Sequence, residues 1–96
     1  MLVLITYDVN TQDSKGKKRL RKVSKICVDY GVRVQNSVFE CVVDSAQYRV
    51  LKHKLINEID QEKDSLRFYN LRNSKNAKVE HIGAKETIKV DELLIM

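Results

Sequence analysis

The sequence predicts a small single-domain α+β protein. Short β-branched runs alternate with two segments of helical spacing, turn formers punctuate each change, and 96 residues suffice for one core without a second domain. Residues 2–9 are short, β-branched and closed by the turn-forming "NTQDS", which predicts a strand. Alternation puts Leu2, Leu4, Thr6 and Asp8 on one face and Val3, Ile5, Tyr7 and Val9 on the other. Asp13 or Ser14 can cap a helix running to about Tyr30, with Leu20, Val23, Ile26, Cys27 and Tyr30 along one stripe. Gly31 is expected to end it in a left-handed conformation.

Residues 32–43, "VRVQNSVFECVV", read as extended; one long strand is conceivable, but "QNS" at the centre fits a tight antiparallel hairpin better. Asp44 or Ser45 caps a second helix to about Ile59, with Tyr48, Leu51, Leu55 and Ile59 as its core stripe. The acidic "DQEKDS" ends that helix. Residues 66–71 alternate as another strand, "RNSKNAK" forms a polar loop, and "VEHI" at 79–82 is a further short strand. The first six elements run β-α-β-β-α-β, the split pattern of a ferredoxin-like fold, with one antiparallel sheet carrying both helices on one face. The final "IKVDELLIM" has no place in such a monomer.

Composition narrows the partners. A net charge of +5 and a pI near 9.3 favour an acidic partner, either nucleic acid or an anionic surface. Cys27 and Cys41 both sit in apolar periodic segments and read as reduced core residues, neither a disulfide nor half a zinc site. The apolar start is short and lacks a basic leader, and no stretch approaches a membrane span, so the expectation is a cytoplasmic protein with no membrane partner.

The positive charge is segregated. Lys15, Lys17, Lys18, Arg19, Arg21, Lys22 and Lys25 crowd residues 14–25 without one acid, and Arg67, Arg72, Lys75 and Lys78 do the same in 65–79. A charge run is ordinarily a solvated helix face. Here the cations occupy the first half of the helix, where the macrodipole disfavours them by a few tenths of a kcal/mol or more each. That cost points to use, because helix N-termini and cations both attract phosphate. Lys17, Lys18, Arg19, Arg21 and Lys22 are therefore candidate contacts to a nucleic-acid backbone. Phe39, Phe68 and Tyr69 are too scattered to form a base-stacking platform.

Asp8 stands against this background. An Asp before a turn most often caps that turn. The sharper reading is a magnesium ligand, since Mg2+ often takes only one or two protein carboxylates and fills its shell with water and phosphate oxygens. One Asp per chain is thin, and a two-fold dimer would supply a pair. His53 and His81 are weaker candidates, and no serine triad, His-Cys cluster or glycine-rich phosphate loop is present.

With "YDV" closing the first strand, an arginine pair in the first helix, "GVRVQNSVFECVVD" and the later "KVEHIGAK", the chain resembles the small CRISPR-associated Cas2 family over nearly its whole length. The spaced set Tyr7-Asp8 and Gly31-x-Arg33-x-Gln35-x-Ser37-x-Phe39 carries that likeness. The resemblance implies a ferredoxin-like homodimer whose C-terminal strand, in residues 84–96, crosses to the partner subunit. It implies Asp8 of both subunits near the two-fold axis as the catalytic, metal-binding pair, with Mg2+ or substituting Mn2+ as cofactor. Arg19, Arg21 and Arg33 then resemble the family's phosphate-contacting arginines, and Tyr7, Ser37 and Phe39 its supporting residues. The activity implied is metal-dependent phosphodiester hydrolysis of RNA or double-stranded DNA, alongside the CRISPR spacer integrase in antiviral defence. The alternative is a non-catalytic dimeric DNA-binding scaffold of the spacer integration complex.

Overall fold

The computed structural model describes residues 1–71 and 78–84. Within them the chain runs β1 (Leu2–Asp8), α1 (Ser14–Tyr30), β2 (Gly31–Gln35), β3 (Val38–Val42), α2 (Ser45–Glu58), β4 (Ser65–Asn70) and β5 (Lys78–Gly83). All strand pairs are antiparallel, in the order β2-β3-β1-β4-β5. The fold is ferredoxin-like, with β5 extending the four-stranded core beyond β4.

The alternation in β1 decides which face is covered. Val3, Ile5, Tyr7 and Val9 are buried, as are their ladder partners Cys41 and Phe39 on β3 and Leu66 and Phe68 on β4. Val23 and Cys27 of α1 and Leu51 and Leu55 of α2 close over them in one cluster. Each such buried aliphatic or aromatic side chain contributes about 1.5–3 kcal/mol relative to exposure. The helices also pack on one another, so both lie on that face. The opposite face keeps apolar groups in the open: Val32 is 71% and Val42 78% exposed.

Both helix starts are capped as the sequence suggests. Asp13 accepts from the Gly16 N–H at 2.7 Å, and Asp44 forms a reciprocal capping box with Gln47. The hairpin is tight, turning at Asn36–Ser37, with a bulge in β2 between Arg33 and Gln35.

Gly31 corrects the expectation of a left-handed stop. It is extended, with φ −160° and ψ −165°, and its N–H donates to the Cys27 carbonyl. Glycine is required there for close approach: a Cβ would stand 2.5 Å from both the Cys41 Sγ and the Glu40 carbonyl oxygen. Small boundary differences also occur. β1 stops at Asp8, β4 begins at Ser65 and ends at Asn70, and β5 takes in Lys78 and Gly83. Cys27 and Cys41 are buried free thiols, and burial pushes the Cys27 thiol up to about 12. The expected C-terminal strand, beyond Ala84, lies outside the described residues, as does most of the loop before β5.

Candidate phosphate-facing site

Asp8 is the last residue of β1 and is exposed, on the face away from the helices, paired in register with Ser65. A shallow cleft of about 260 Å³ opens beside it, lined by Asp8, Asn10, Thr11, Gln12 and Lys63. The lining is polar: one carboxylate, three neutral side chains bearing oxygen, and one ammonium. Among the described residues no group of three or more His, Cys, Asp or Glu is placed to hold a metal. One chain thus offers a single carboxylate with neutral oxygen donors around it. That suits a hard, largely hydrated Mg2+ and fits no thiolate- or imidazole-bound metal.

The residues expected to support it, Tyr7, Ser37 and Phe39, lie on and beside this strand end. The Tyr7 hydroxyl is 2.8 Å from the Ser24 Oγ of α1 and donates to the Asn36 carbonyl at 3.3 Å. The Tyr7 N–H donates to the Ser37 carbonyl at 3.1 Å, so Ser37 acts here through its backbone. Tyr7 and Phe39 stack with centroids 6.1 Å apart, and the Arg33 guanidinium sits 5.2 Å over the Phe39 ring. Phe39 is fully buried and packs between Tyr7 and the Arg33 guanidinium.

The cations of α1 divide into two groups. Lys17, Lys18, Arg21 and Lys22 are exposed, and Lys18, Arg21, Lys22 and Lys25 line a second cleft of about 510 Å³ with Ile26 and Glu58. Lys22 approaches Glu58 at 3.6 Å, a loose surface pair. Arg19 is different. Its side chain is 15% exposed, and its Nε donates to the Asp64 Oδ2 at 2.7 Å. Its guanidinium is thus engaged inward with a buried carboxylate, whereas Lys17, Lys18, Arg21 and Lys22 face solvent. The cleft at Asp8 and the cleft on α1 share no lining residue; the cation beside Asp8 is Lys63, from the turn before β4.

Asp64 escaped the sequence reading. It is completely buried and accepts from the Asn10 and Asp60 N–H groups, each at 2.9 Å, as well as from Arg19. Burial alone would raise its carboxyl; the Arg19 guanidinium and the two backbone donors hold it below the ordinary value. The available signal was an Asp directly before a strand, hidden in the polar run "DQEKDS". Of the histidines, His53 is exposed and meets Asn57, while His81 accepts from the Arg67 Nε at 3.1 Å on its Nδ1.

A split-βαβ sheet with a carboxylate at its central strand end and a cationic helix on its covered face defines the class: a small ferredoxin-like α+β protein with a basic helix. Comparison with known proteins then names the family: the chain belongs to the CRISPR associated protein Cas2 family, whose model matches residues 1–79. It is 62% identical over 95 residues to the CRISPR-associated endonuclease Cas2 of Halalkalibacterium halodurans, covering 99% of each chain. It is 56% identical over 96 residues to the CRISPR-associated endoribonuclease Cas2 of Nitratidesulfovibrio vulgaris, covering 100% of this chain and 94% of the other. The crystal structure of Streptococcus pyogenes Cas2 at pH 6.5 matches with a TM-score of 0.70 at 58% identity, over 78% of this chain and 92% of that one. No helix among the described residues is long and apolar enough to cross a membrane.

Proposed function

We propose that this chain is a CRISPR adaptation protein that hydrolyses phosphodiester bonds of RNA or double-stranded DNA with Mg2+, for which Mn2+ substitutes, and acts with the spacer integrase in acquiring spacers. The observation that carries the reading is the exposed Asp8 at the end of a buried central strand, in a cleft that also holds three neutral oxygen-bearing side chains and the Lys63 ammonium. Close relatives named endonuclease and endoribonuclease support the reaction type. A bound Mg2+ would neutralise charge on the phosphoryl oxygens and make water more acidic.

The chain's own residues supply the remainder. Asp8 holds the cation, Lys63 meets the non-bridging phosphate oxygens from the same cleft, and Tyr7 and Phe39 keep the strand end in place. Lys17, Lys18, Arg21, Lys22 and Arg33 bind the backbone away from the reacting bond. The protein works as a homodimer, in which the exposed Val32 and Val42 of the uncovered sheet face find a partner and a second Asp8 joins the first.

One observation favours the alternative of a non-catalytic DNA-binding scaffold: the cleft holding the helix cations is separate from the Asp8 cleft, so duplex binding does not require the carboxylate. Incubating the purified protein with single-stranded RNA and with duplex DNA, in Mg2+ and in excess chelator, separates the two. Cleavage that Mg2+ restores supports the nuclease; tight duplex binding without cleavage of either substrate supports the scaffold.

A further inference from the structure

Asp64 is the one acidic side chain among the described residues that is fully buried, and the mechanism proposed above does not use it. Its Oδ1 accepts the Asn10 N–H at 2.9 Å, and its Oδ2 accepts the Asp60 N–H at 2.9 Å and the Arg19 Nε at 2.7 Å. Arg19 adds a second reach, its Nη2 lying 3.3 Å from the Asp64 Oδ1 and 3.4 Å from the Asn10 carbonyl. Asn10 is thus held at both its N–H and its C=O, two residues beyond Asp8, and Asn10 lines the Asp8 cleft. The residue after Asp64 is Ser65, the ladder partner of Asp8.

Two close approaches tighten the same point. A Cβ at Gly16 would lie 1.9 Å from the Asn10 carbonyl oxygen, so α1 is seated against the loop that leaves β1. A Cβ at Gly83 would lie 2.1 Å from the Asp64 carbonyl oxygen, which also accepts the Ala84 N–H at 3.0 Å. The loop after Asp8 and the first turns of α1 meet the Asp64 carboxylate, and the end of β5 meets the Asp64 backbone carbonyl just before β4.

We propose that Asp64, with Arg19 as its clamp, is the positioning residue of the Asp8 metal site, setting the place of Asn10 and Ser65 on either side of that carboxylate. The inference rests on the nuclease reading and deepens it. Asp64 meets no substrate; its oxygens are occupied by Asn10, Asp60 and Arg19. Groups hydrogen-bonded directly to a metal ligand typically govern metal affinity about 10–100-fold. Asp64 acts one step further out, through Asn10 and Ser65, so the effect belongs at the low end of that range.

The test measures metal binding directly, without substrate, by the electron paramagnetic resonance of free Mn2+. Asp64→Asn keeps the shape but places an amide where one of the donors must find an acceptor. Mn2+ affinity should fall about tenfold, while metal-free binding to duplex DNA stays within about twofold. Leu55→Ala, a cavity in the buried face of α2, serves as the control: it should lower the melting temperature and leave Mn2+ affinity unchanged. Arg19→Gln, which spares both backbone bonds to Asp64, should shift Mn2+ affinity in the same direction. Wild-type Mn2+ affinity in a folded Asp64→Asn protein, or an equal loss in Leu55→Ala, would overturn the positioning role. Failure of both Asp64→Asn and Arg19→Gln to fold would overturn it too, leaving the pair a folding requirement. Absence of Mn2+ binding by the wild-type protein would be seen first, and would refute the nuclease reading itself.

Discussion

The Arg19 Nε donates to the Asp64 Oδ2 at 2.7 Å across 45 residues of sequence, joining the cationic helix to the turn before β4. The pair sets two opposite demands against each other. Burial disfavours the Asp64 charge, and three donors restore it. The outcome is a carboxyl held below its ordinary value of 3.8, so the folded state binds this proton less readily than the unfolded state.

Acid stability follows from that direction. A group with a depressed folded pKa contributes its stability above the unfolded value and loses it as pH falls through the folded one. The melting temperature of the wild-type protein should therefore drop more steeply below about pH 4 than that of Asp64→Asn. At neutral pH the variant should be the less stable. The loss should sit toward the low end of the about 3–5 kcal/mol typical of a broken buried pair, because Arg19 can turn to water. Parallel melting curves from pH 6 to pH 2 would assign the acid dependence to other groups.

Thiol reactivity should report the core. Cys27 is fully buried with its thiol pushed up to about 12, so almost no thiolate exists near neutrality. Iodoacetamide at pH 8 should leave native Cys27 unmodified and alkylate it promptly in denaturant. Rapid alkylation of the native protein, followed by peptide mass spectrometry, would contradict the packing of α1 on β3.

The division of the helix cations predicts unequal effects on nucleic-acid binding. Replacing Lys18, Arg21 and Lys22 by Gln should weaken duplex binding regardless of sequence and flatten the logarithmic salt dependence by about 0.9 per lost contact. Arg19→Gln should change that slope far less, since its charge is spent on Asp64. An equal slope change from Arg19→Gln would return this arginine to the phosphate-facing set.

Assembly is testable through the C-terminal segment. Ending the chain after Ala84 spares the Ala84 N–H bond to the Asp64 carbonyl while removing the apolar "LLIM" terminus. If that segment completes a dimer, the shortened protein should become monomeric in light scattering or melt earlier. An unchanged dimer with unchanged melting would show that the sheet faces suffice.

Much of this architecture was legible because it depends on local patterns. Alternation in residues 2–9 separated the two faces of β1, of which the fold buries Val3, Ile5, Tyr7 and Val9. Of the paired cap candidates, Asp13 and Asp44 take the role over Ser14 and Ser45. Contacts distant in sequence were not legible. Asp64 looks like one more acid in a solvated turn until Arg19, Asn10 and Asp60 are brought around it. Gly31 follows a helix and invites the usual left-handed stop, but its reason lies across the sheet in Cys41 and Glu40. The basic run was visible, whereas the inward turn of Arg19 from within it required the fold.

Asp8 is the proposed holder of the metal for phosphodiester hydrolysis. Asp8→Asn is nearly isosteric and lies at an exposed strand end, so the fold should persist. Mg2+- or Mn2+-dependent cleavage should fall by at least about a hundredfold, because the cation's hold and its charge stabilisation are lost together. Duplex binding should survive or tighten slightly, since an anion has left a cationic protein. The decisive measurement is the metal-dependent cleavage rate of the Asp8→Asn protein, repurified until the rate is constant and compared with wild type on the same RNA and duplex DNA. A collapse of that rate with duplex binding retained is the predicted result; a wild-type rate in the Asn variant would contradict the account.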